Sequence, residues 1–165
     1  MIRRLIRWAA IRTGRGLPLF QMAQPTHLEV ADWWRRRGAT IGPGTTINRA
    51  ACLMDAQLVS IGANCSVSDA IFVTHSGGDR ILRHRYPGQP FDSTAAIVVG
   101  DNCIIGSGAR IRYGVRIGSD CVVAMGAVVV RDLADGMIQY SDGRLGRTID
   151  YVQRLSLRSQ KRILV

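Results

Sequence analysis

A β-branched aliphatic residue recurs at every sixth position over the second half of this chain. The series runs through Val99, Ile105, Ile111, Ile117, Val123 and Val129. A six-residue period is typical of a parallel β-helix, in which each hexad forms a short strand and a turn. Three hexads close one coil, and one aliphatic side chain per hexad points inward. Neighbouring coils then bury each other's faces, so stability depends on stacking.

The same period is present earlier in the chain. One series runs through Ile41, Ile47 and Leu53, and after two extra residues a second runs through Ile61, Val67 and Val73. The pattern fails between Val73 and Val99. Residues 76–96 contain glycine, proline and arginine, and we expect them to form a long projecting loop, since loops of this length are usually functional or disordered.

Both ends of the chain have helical patterns. Residues 2–12 and 27–37 carry apolar side chains at helical spacing, Gly38 is placed to end the second helix, and Asp150 to cap a last helix through Arg162. We expect a mainly β protein, a solenoid of about four coils. Its predicted segments are a helical N-terminal cap over 1–40, the β-helix over 41–132, and a C-terminal cofactor-side segment with a helix over 133–165.

The chain is strongly basic. Its 165 residues carry a formal net charge of +10, and Lys161 is the only lysine among 22 basic residues. This charge favours an anionic partner, which could be nucleic acid, anionic lipid or a small molecule. No recognised nucleic-acid-binding pattern is present, so we expect no nucleic-acid partner.

The N-terminal arginines could bind a membrane surface. Arg3, Arg4, Arg7 and Arg15 surround an apolar helix face that could lie on anionic lipid, or could pack on the solenoid end or another subunit. The longest apolar run, Val122 to Val130, is too short to span a bilayer. We expect a cytoplasmic protein, with peripheral contact at the inner face of the membrane as an alternative.

The four cysteines show neither the spacing of a zinc site nor a nearby histidine partner. Cys65, Cys103 and Cys121 each stand four positions after an inward aliphatic, where a small side chain fits the corner. We therefore predict that these thiols serve packing, and we predict no metal site.

Three stretches of the sequence resemble the hexapeptide-repeat acyltransferases, and among them the bacterial sugar and polysaccharide O-acetyltransferases. They are Phe72–Asp79 (FVTHSGGD), the hexads from Val99 to Asp132, and Asp142–Ile149 (DGRLGRTI). The chain departs from the family pattern at Ser76, where an aspartate is usual, and at Arg144-Leu145, where Asn-Pro is usual. The resemblance implies a left-handed parallel β-helix and a homotrimer with active sites between subunits.

The resemblance also implies a reaction, in which an acetyl or small acyl group passes from acyl-CoA, most often acetyl-CoA, to a hydroxyl of a sugar or surface-polysaccharide precursor. The family's histidine acts as general base in a ternary complex, and its match here is His75. A histidine at a strand end beside a loop suits that role, since an imidazole titrates near neutral pH. Asp69, Asp79, Asp92 or a backbone carbonyl could orient it.

Further residues are expected to bind the cofactor or the acceptor because of their positions in the chain. The resemblance implies that backbone groups of Ser107 and Met125 meet the pantetheine arm, and that Arg131, Arg144 and Arg147 lie near the nucleotide phosphates, for which arginine is well suited. The predicted acceptor contacts lie on the loop, and they are Arg80, Arg83, His84, Arg85 and Tyr86.

Several alternatives stay open at this level. The same base and thioester would serve an N-acyltransferase of an amino sugar, and a solenoid can be a non-catalytic scaffold. A γ-type carbonic anhydrase needs three converging histidines, and the chain contains only His27, His75 and His84.

Overall fold

Three parallel β-sheets form the body of the protein in a computed structural model, which describes residues 4–6, 8–9, 24–89, 91 and 93–163. The first sheet contains β1 (Thr40–Ile41), β4 (Val59–Ile61), β7 (Ile97–Val99) and β10 (Arg116–Ile117). The second contains β2 (Thr46–Ile47), β5 (Ser66–Val67), β8 (Ile104–Ile105), β11 (Val122–Val123), β13 (Met137–Gln139) and the antiparallel β14 (Leu145–Arg147). The third contains β3 (Cys52–Leu53), β6 (Ile71–Val73), β9 (Arg110–Arg112) and β12 (Val128–Val129).

The chain visits the three sheets in turn, so that every third strand returns to the same sheet one coil higher. Strands β1 to β12 make four coils, and β13 begins a fifth. The mainly β architecture with parallel sheets is therefore confirmed. The left-handed winding and the domain boundaries stay predictions.

The aliphatic side chains of the six-residue repeat form the hydrophobic core. All six aliphatics from Val99 to Val129 are at most 2% exposed, and their counterparts from Ile41 to Val67 are buried as well. The Cα register pairs Ile61 with Val99, which shows one inward side chain stacking on the next. Each buried aliphatic of this kind stabilises a fold by about 1.5–3 kcal/mol.

The predicted inward position of Val73 is wrong. Phe72 is fully buried and pairs with Leu53 below and Ile111 above, while Val73 is half-buried on the outer surface. The turn between Val67 and Phe72 is one residue shorter than the six-residue repeat predicts. In this turn the Ala70 amide donates to the Ser68 carbonyl at 2.8 Å. Because side chains alternate between the faces of a strand, a shift of one residue exchanges inside for outside.

The three predicted inward cysteines are confirmed as buried. All four thiols are free, and Cys52 alone is exposed. The Cys103 thiol donates to the Gly118 carbonyl at 3.0 Å, and burial raises the pKa of Cys121. The buried Cys103 and Cys121 thiols therefore act as small apolar side chains.

Helices lie at both ends of the solenoid. Helix α1 (His27–Arg36) begins with a capping box between Thr26 and Glu29, and the chain leaves it through Gly38 at a φ of 102°, as predicted. Helix α3 (Thr148–Ile163) begins two residues before Asp150, so the predicted capping role of Asp150 is wrong. Its carboxylate instead pairs with Arg147.

Residues 76–96 do not form the continuous loop that the sequence predicts. They contain a short helix, α2 (Asp79–Arg85), which lies between Gly78 and Tyr86. The segment then returns along the coil, where the Ser76 amide donates to the Ser93 carbonyl at 2.9 Å and the Ala95 amide to the Thr74 carbonyl at 3.1 Å. The base of this excursion is therefore fixed to the solenoid.

The predicted N-terminal helix falls largely outside the described residues. Residues 4–6 and 8–9 are helical, whereas Arg3, Arg7 and Arg15 lie outside the described part. Contact of this segment with lipid stays a prediction. Among the residues that the structure describes, no helix is both long and apolar enough to cross a membrane.

Candidate active site

His75 lies two residues after the end of β6, at the corner where the third sheet turns toward the first. Its backbone forms an isolated antiparallel bridge with Thr94, which belongs to the returning part of the 76–96 segment. Its side chain is 41% exposed. The histidine is therefore held at the base of the excursion with its ring accessible from outside.

A carboxylate orients the His75 ring. The Nδ1 atom of His75 lies 2.6 Å from Oδ2 of Asp55, and the same oxygen accepts a hydrogen bond from the Thr74 hydroxyl at 2.7 Å. The Asp55 amide donates back to the Thr74 hydroxyl oxygen at 3.2 Å. Hydrogen bonds from Thr74 and then His75 hold the pKa of Asp55 below its usual range.

This arrangement fixes which nitrogen can act as a base. An ionised Asp55 accepts a proton-bearing Nδ1, so the lone pair of a neutral ring lies on Nε2. The carboxylate also favours a positive charge on the ring when Nε2 takes a proton. The pair can therefore remove a proton from a nearby hydroxyl at neutral pH.

Asp55 is not one of the three aspartates that the sequence analysis considered. Asp69 lies at a different corner, where the Ser107 hydroxyl lowers its pKa, and Asp79 accepts from the Ser93 amide. Asp92 lies outside the described residues. Coil spacing could have identified Asp55, because the register that pairs Leu53 with Phe72 places Asp55 level with Thr74, the neighbour of His75.

The residues predicted to contact the pantetheine arm lie at another corner. Ser107 and Met125 stand on successive coils between the second and third sheets. The Ser107 carbonyl accepts from the Gly126 amide at 2.8 Å, and Met125 is 71% exposed. Within one chain the structure does not bring them together with His75.

The three predicted phosphate-binding arginines lie toward the C-terminal end of the solenoid. Arg131 is exposed on the His75 corner two coils higher, beside a cleft of about 220 Å³ that Gln139 and Leu145 also line. Arg144 pairs with Asp142 at 2.6 Å. Arg147 makes two hydrogen bonds to Asp150, each 2.9 Å long, and this carboxylate raises the pKa of Arg147.

The predicted acceptor contacts fall on or next to α2. Arg80, Arg83, His84, Arg85 and Tyr86 are all exposed, so this short helix presents a cationic surface near His75. Arg83 donates to the Phe91 carbonyl at 2.6 Å, and the Arg85 guanidinium lies 5.7 Å from the centre of the Tyr86 ring. In the described part of the chain, no group of three or more histidine, cysteine or acidic side chains is arranged to hold a metal ion.

Known proteins share the repeat. Residues 96–131 match the family model described as the hexapeptide repeat of succinyl-transferase. A putative acetyltransferase of Saccharomyces cerevisiae is 30% identical over 59% of this chain and 49% of its own length. A serine acetyltransferase of Mycobacterium tuberculosis is 31% identical over 57% of this chain and 38% of its own. The chain thus spans half or less of the length of these two relatives.

Solved structures share the fold. A hexapeptide-repeat acetyltransferase of Vibrio cholerae, solved with acetyl coenzyme A, is similar with a TM-score of 0.60 and 22% identity, and 87% of each chain is covered. A maltose O-acetyltransferase of Clostridium difficile is similar with a TM-score of 0.56 and 16% identity, covering 88% of this chain and 87% of its own. The chain thus carries this repeat over residues 96–131 and shares the fold of these two acetyltransferases.

Proposed function

We propose that this protein transfers an acetyl group from acetyl-CoA to a hydroxyl of a sugar or surface-polysaccharide precursor, with His75 as general base. The observation that carries the proposal is the 2.6 Å contact between Nδ1 of His75 and Asp55, on a partly exposed ring beside the 76–96 segment. A fixed tautomer next to a carboxylate is what deprotonation of an attacking hydroxyl requires.

The reaction proceeds in one ternary complex. Nε2 of His75 takes the acceptor's hydroxyl proton as the oxygen attacks the thioester carbonyl, forming a C–O bond. The tetrahedral intermediate then collapses with cleavage of the C–S bond, and the imidazolium returns its proton to the departing CoA thiolate. Asp55 stabilises the imidazolium between these two steps.

The residues proposed to hold acetyl-CoA lie on two corners of the solenoid. The arginines at its C-terminal end suit the nucleotide phosphates, and Arg131 carries its charge without a carboxylate partner among the described residues. Ser107 and Met125 lie on a corner that the His75 of the same chain does not share. This separation favours a homotrimer of left-handed β-helices in which one subunit's His75 corner faces the neighbour's cofactor corner.

Thiol release from acetyl-CoA across a panel of nucleotide sugars and cell-surface oligosaccharides tests the activity. We expect release with at least one hydroxyl acceptor and an increase in melting temperature when CoA is added. Release only with amino sugars would indicate N-transfer instead. Absence of release with every acceptor, together with no thermal shift by CoA, would identify a scaffold.

Asp55→Asn should lower the kcat of thiol release on the order of 10²-fold, because the amide carries no charge to stabilise the imidazolium. Steady-state kinetics measures this loss. Asp32→Asn, which removes an exposed partner of Arg35 on α1, is the control and should leave the rate unchanged.

The lowered pKa of Asp55 sets the sign of its effect on stability. The folded carboxylate binds fewer protons, so its stabilising hydrogen bonds are complete above the ordinary pKa of an aspartate and are lost as the pH falls through the lowered pKa of Asp55. A kcat equal to that of the wild type in folded Asp55→Asn would contradict the positioning role.

A further inference from the structure

Arg112 and Tyr113 lie at the same corner as His75, one coil higher. Arg112 is the last residue of β9, and its Cα pairs with that of Val73, two residues before His75. Neighbouring strands lie about 4.8 Å apart, well within the reach of an arginine side chain. Neither residue stands out in the sequence, because each is a single position within a regular hexad.

The returning part of the 76–96 segment ties the two corners together. The Gly114 amide donates to the Ala96 carbonyl at 3.2 Å, and the Ala95 amide donates to the Thr74 carbonyl at 3.1 Å. Thr94 bridges His75 itself. Three consecutive residues thus connect the turn after Tyr113 to the backbone around the proposed base, so the two sites hold a fixed relation.

Tyr113 holds the guanidinium of Arg112. Its ring centre lies 4.7 Å from Cζ of Arg112, and its hydroxyl accepts a hydrogen bond from Nη2 at 3.2 Å. Among the described residues no carboxylate pairs with Arg112. An exposed arginine that an aromatic ring already orders loses less freedom when it binds an anion.

Positive charge dominates this corner. Asp55 is engaged by His75 and Thr74, and Asp132 accepts from the Arg116 amide at 2.8 Å. Asp79 on α2 accepts a hydrogen bond from the Ser93 amide. Apart from Arg131, which is proposed to bind the cofactor, the other described charged groups on this corner and on α2 are Arg80, Arg83, Arg85 and Arg112. Such an arrangement attracts an anionic acceptor more strongly than a neutral one.

We propose that Arg112, ordered by Tyr113, binds a carboxylate or phosphate of the acceptor, so that the preferred acceptor is an acidic sugar or a sugar phosphate. Arg112 is a specificity-determining residue and takes no part in the proton transfer. This inference rests on the proposed acetyl transfer at His75. Two charge-assisted hydrogen bonds from a guanidinium to such a group add affinity and fix the acceptor's orientation.

Matched acceptor pairs test the proposal, namely glucose with glucuronate, galactose with galacturonate, and glucose with glucose 1-phosphate. We expect kcat/KM for thiol release to be about tenfold or more higher for the acidic member of a pair. Arg112→Gln should raise the KM of the acidic acceptor about 10- to 100-fold and leave the KM of the neutral acceptor and of acetyl-CoA unchanged. The KM of either the uronates or the sugar phosphate should rise more in Arg112→Gln, and the larger rise identifies the anionic group that Arg112 binds.

Arg110→Gln is the matched control. Arg110 lies on the same strand and the same outer face, two residues farther from the corner, and should leave the preference intact. A preference for neutral acceptors, an equal loss for both members, or a rise confined to the KM of acetyl-CoA would overturn the proposal.

A measurement of acceptor binding without acetyl-CoA distinguishes failure of this proposal from failure of the proposed function. Glucuronate and glucose 1-phosphate, added without acetyl-CoA, should raise the melting temperature of the wild type and of Arg110→Gln more than that of Arg112→Gln. Equal shifts in all three proteins would overturn the proposal even when no acceptor is acetylated. Failure of acetyl transfer itself appears separately, as absent thiol release and an absent CoA shift.

Discussion

Replacing His75 with alanine should reduce the kcat of thiol release from acetyl-CoA by about 10²–10⁴-fold, the usual contribution of a general base. Without Nε2 the acceptor hydroxyl keeps its proton at the moment of attack. The KM of acetyl-CoA should change little, since the proposed cofactor contacts lie elsewhere on the solenoid. Steady-state thiol release with acetyl-CoA varied at a saturating concentration of the acceptor measures both quantities.

Two comparisons make this result specific. His27→Ala changes an exposed histidine at the start of α1 and should retain full activity. Thermal unfolding of His75→Ala should remain cooperative, because the replaced ring is partly exposed and contributes little to the core. A kcat equal to that of the wild type in folded His75→Ala would contradict the role of His75.

Replacing Phe72 with alanine should lower the free energy of unfolding by about 3–5 kcal/mol, because truncating a buried aromatic side chain leaves a cavity between coils. Phe72 is fully buried and stacks between Leu53 and Ile111. Urea denaturation at one fixed protein concentration measures this change, and holding the concentration constant matters if subunits associate.

Val73→Ala is the natural control for this change. Val73 is the neighbouring residue, and it lies half-buried on the outer face beside Arg112. We expect it to cost about 1 kcal/mol or less, as for substitutions outside a core. If Val73→Ala lowered the free energy of unfolding more than Phe72→Ala, Val73 would be the inward residue, six positions after Val67. That result would contradict the observed register.

The solenoid was predictable because its core is periodic in sequence. Side chains such as Ile105 and Val123 reveal their inward direction by recurrence alone, and the structure buries both. Phe72 was not predictable in this way. Phe72 and Val73 are both apolar, so the pattern tolerates either, and the choice depends on the short turn at Ser68–Ala70.

The proposed active site was predictable only in part. His75 could be identified because the Phe72–Asp79 segment resembles the family's histidine segment, and its place at the start of the 76–96 segment suits the same role. Asp55 was missed because it stands in a different coil from His75, and only the register between coils, which pairs Leu53 with Phe72, brings the two side chains together. Helix α2 was missed because Gly78, Pro87 and Gly88 suggest irregular structure, although the seven residues that form it contain neither glycine nor proline.

Mass spectrometry of the acceptor shows directly whether the protein transfers acetyl to a hydroxyl with His75 as the base. Acceptors from the matched pairs are incubated with acetyl-CoA and either the wild type or His75→Ala, and the product is examined for an O-acetyl ester. We predict an ester with the wild type and almost none with His75→Ala. Ester formed equally by both proteins would contradict the assignment of His75.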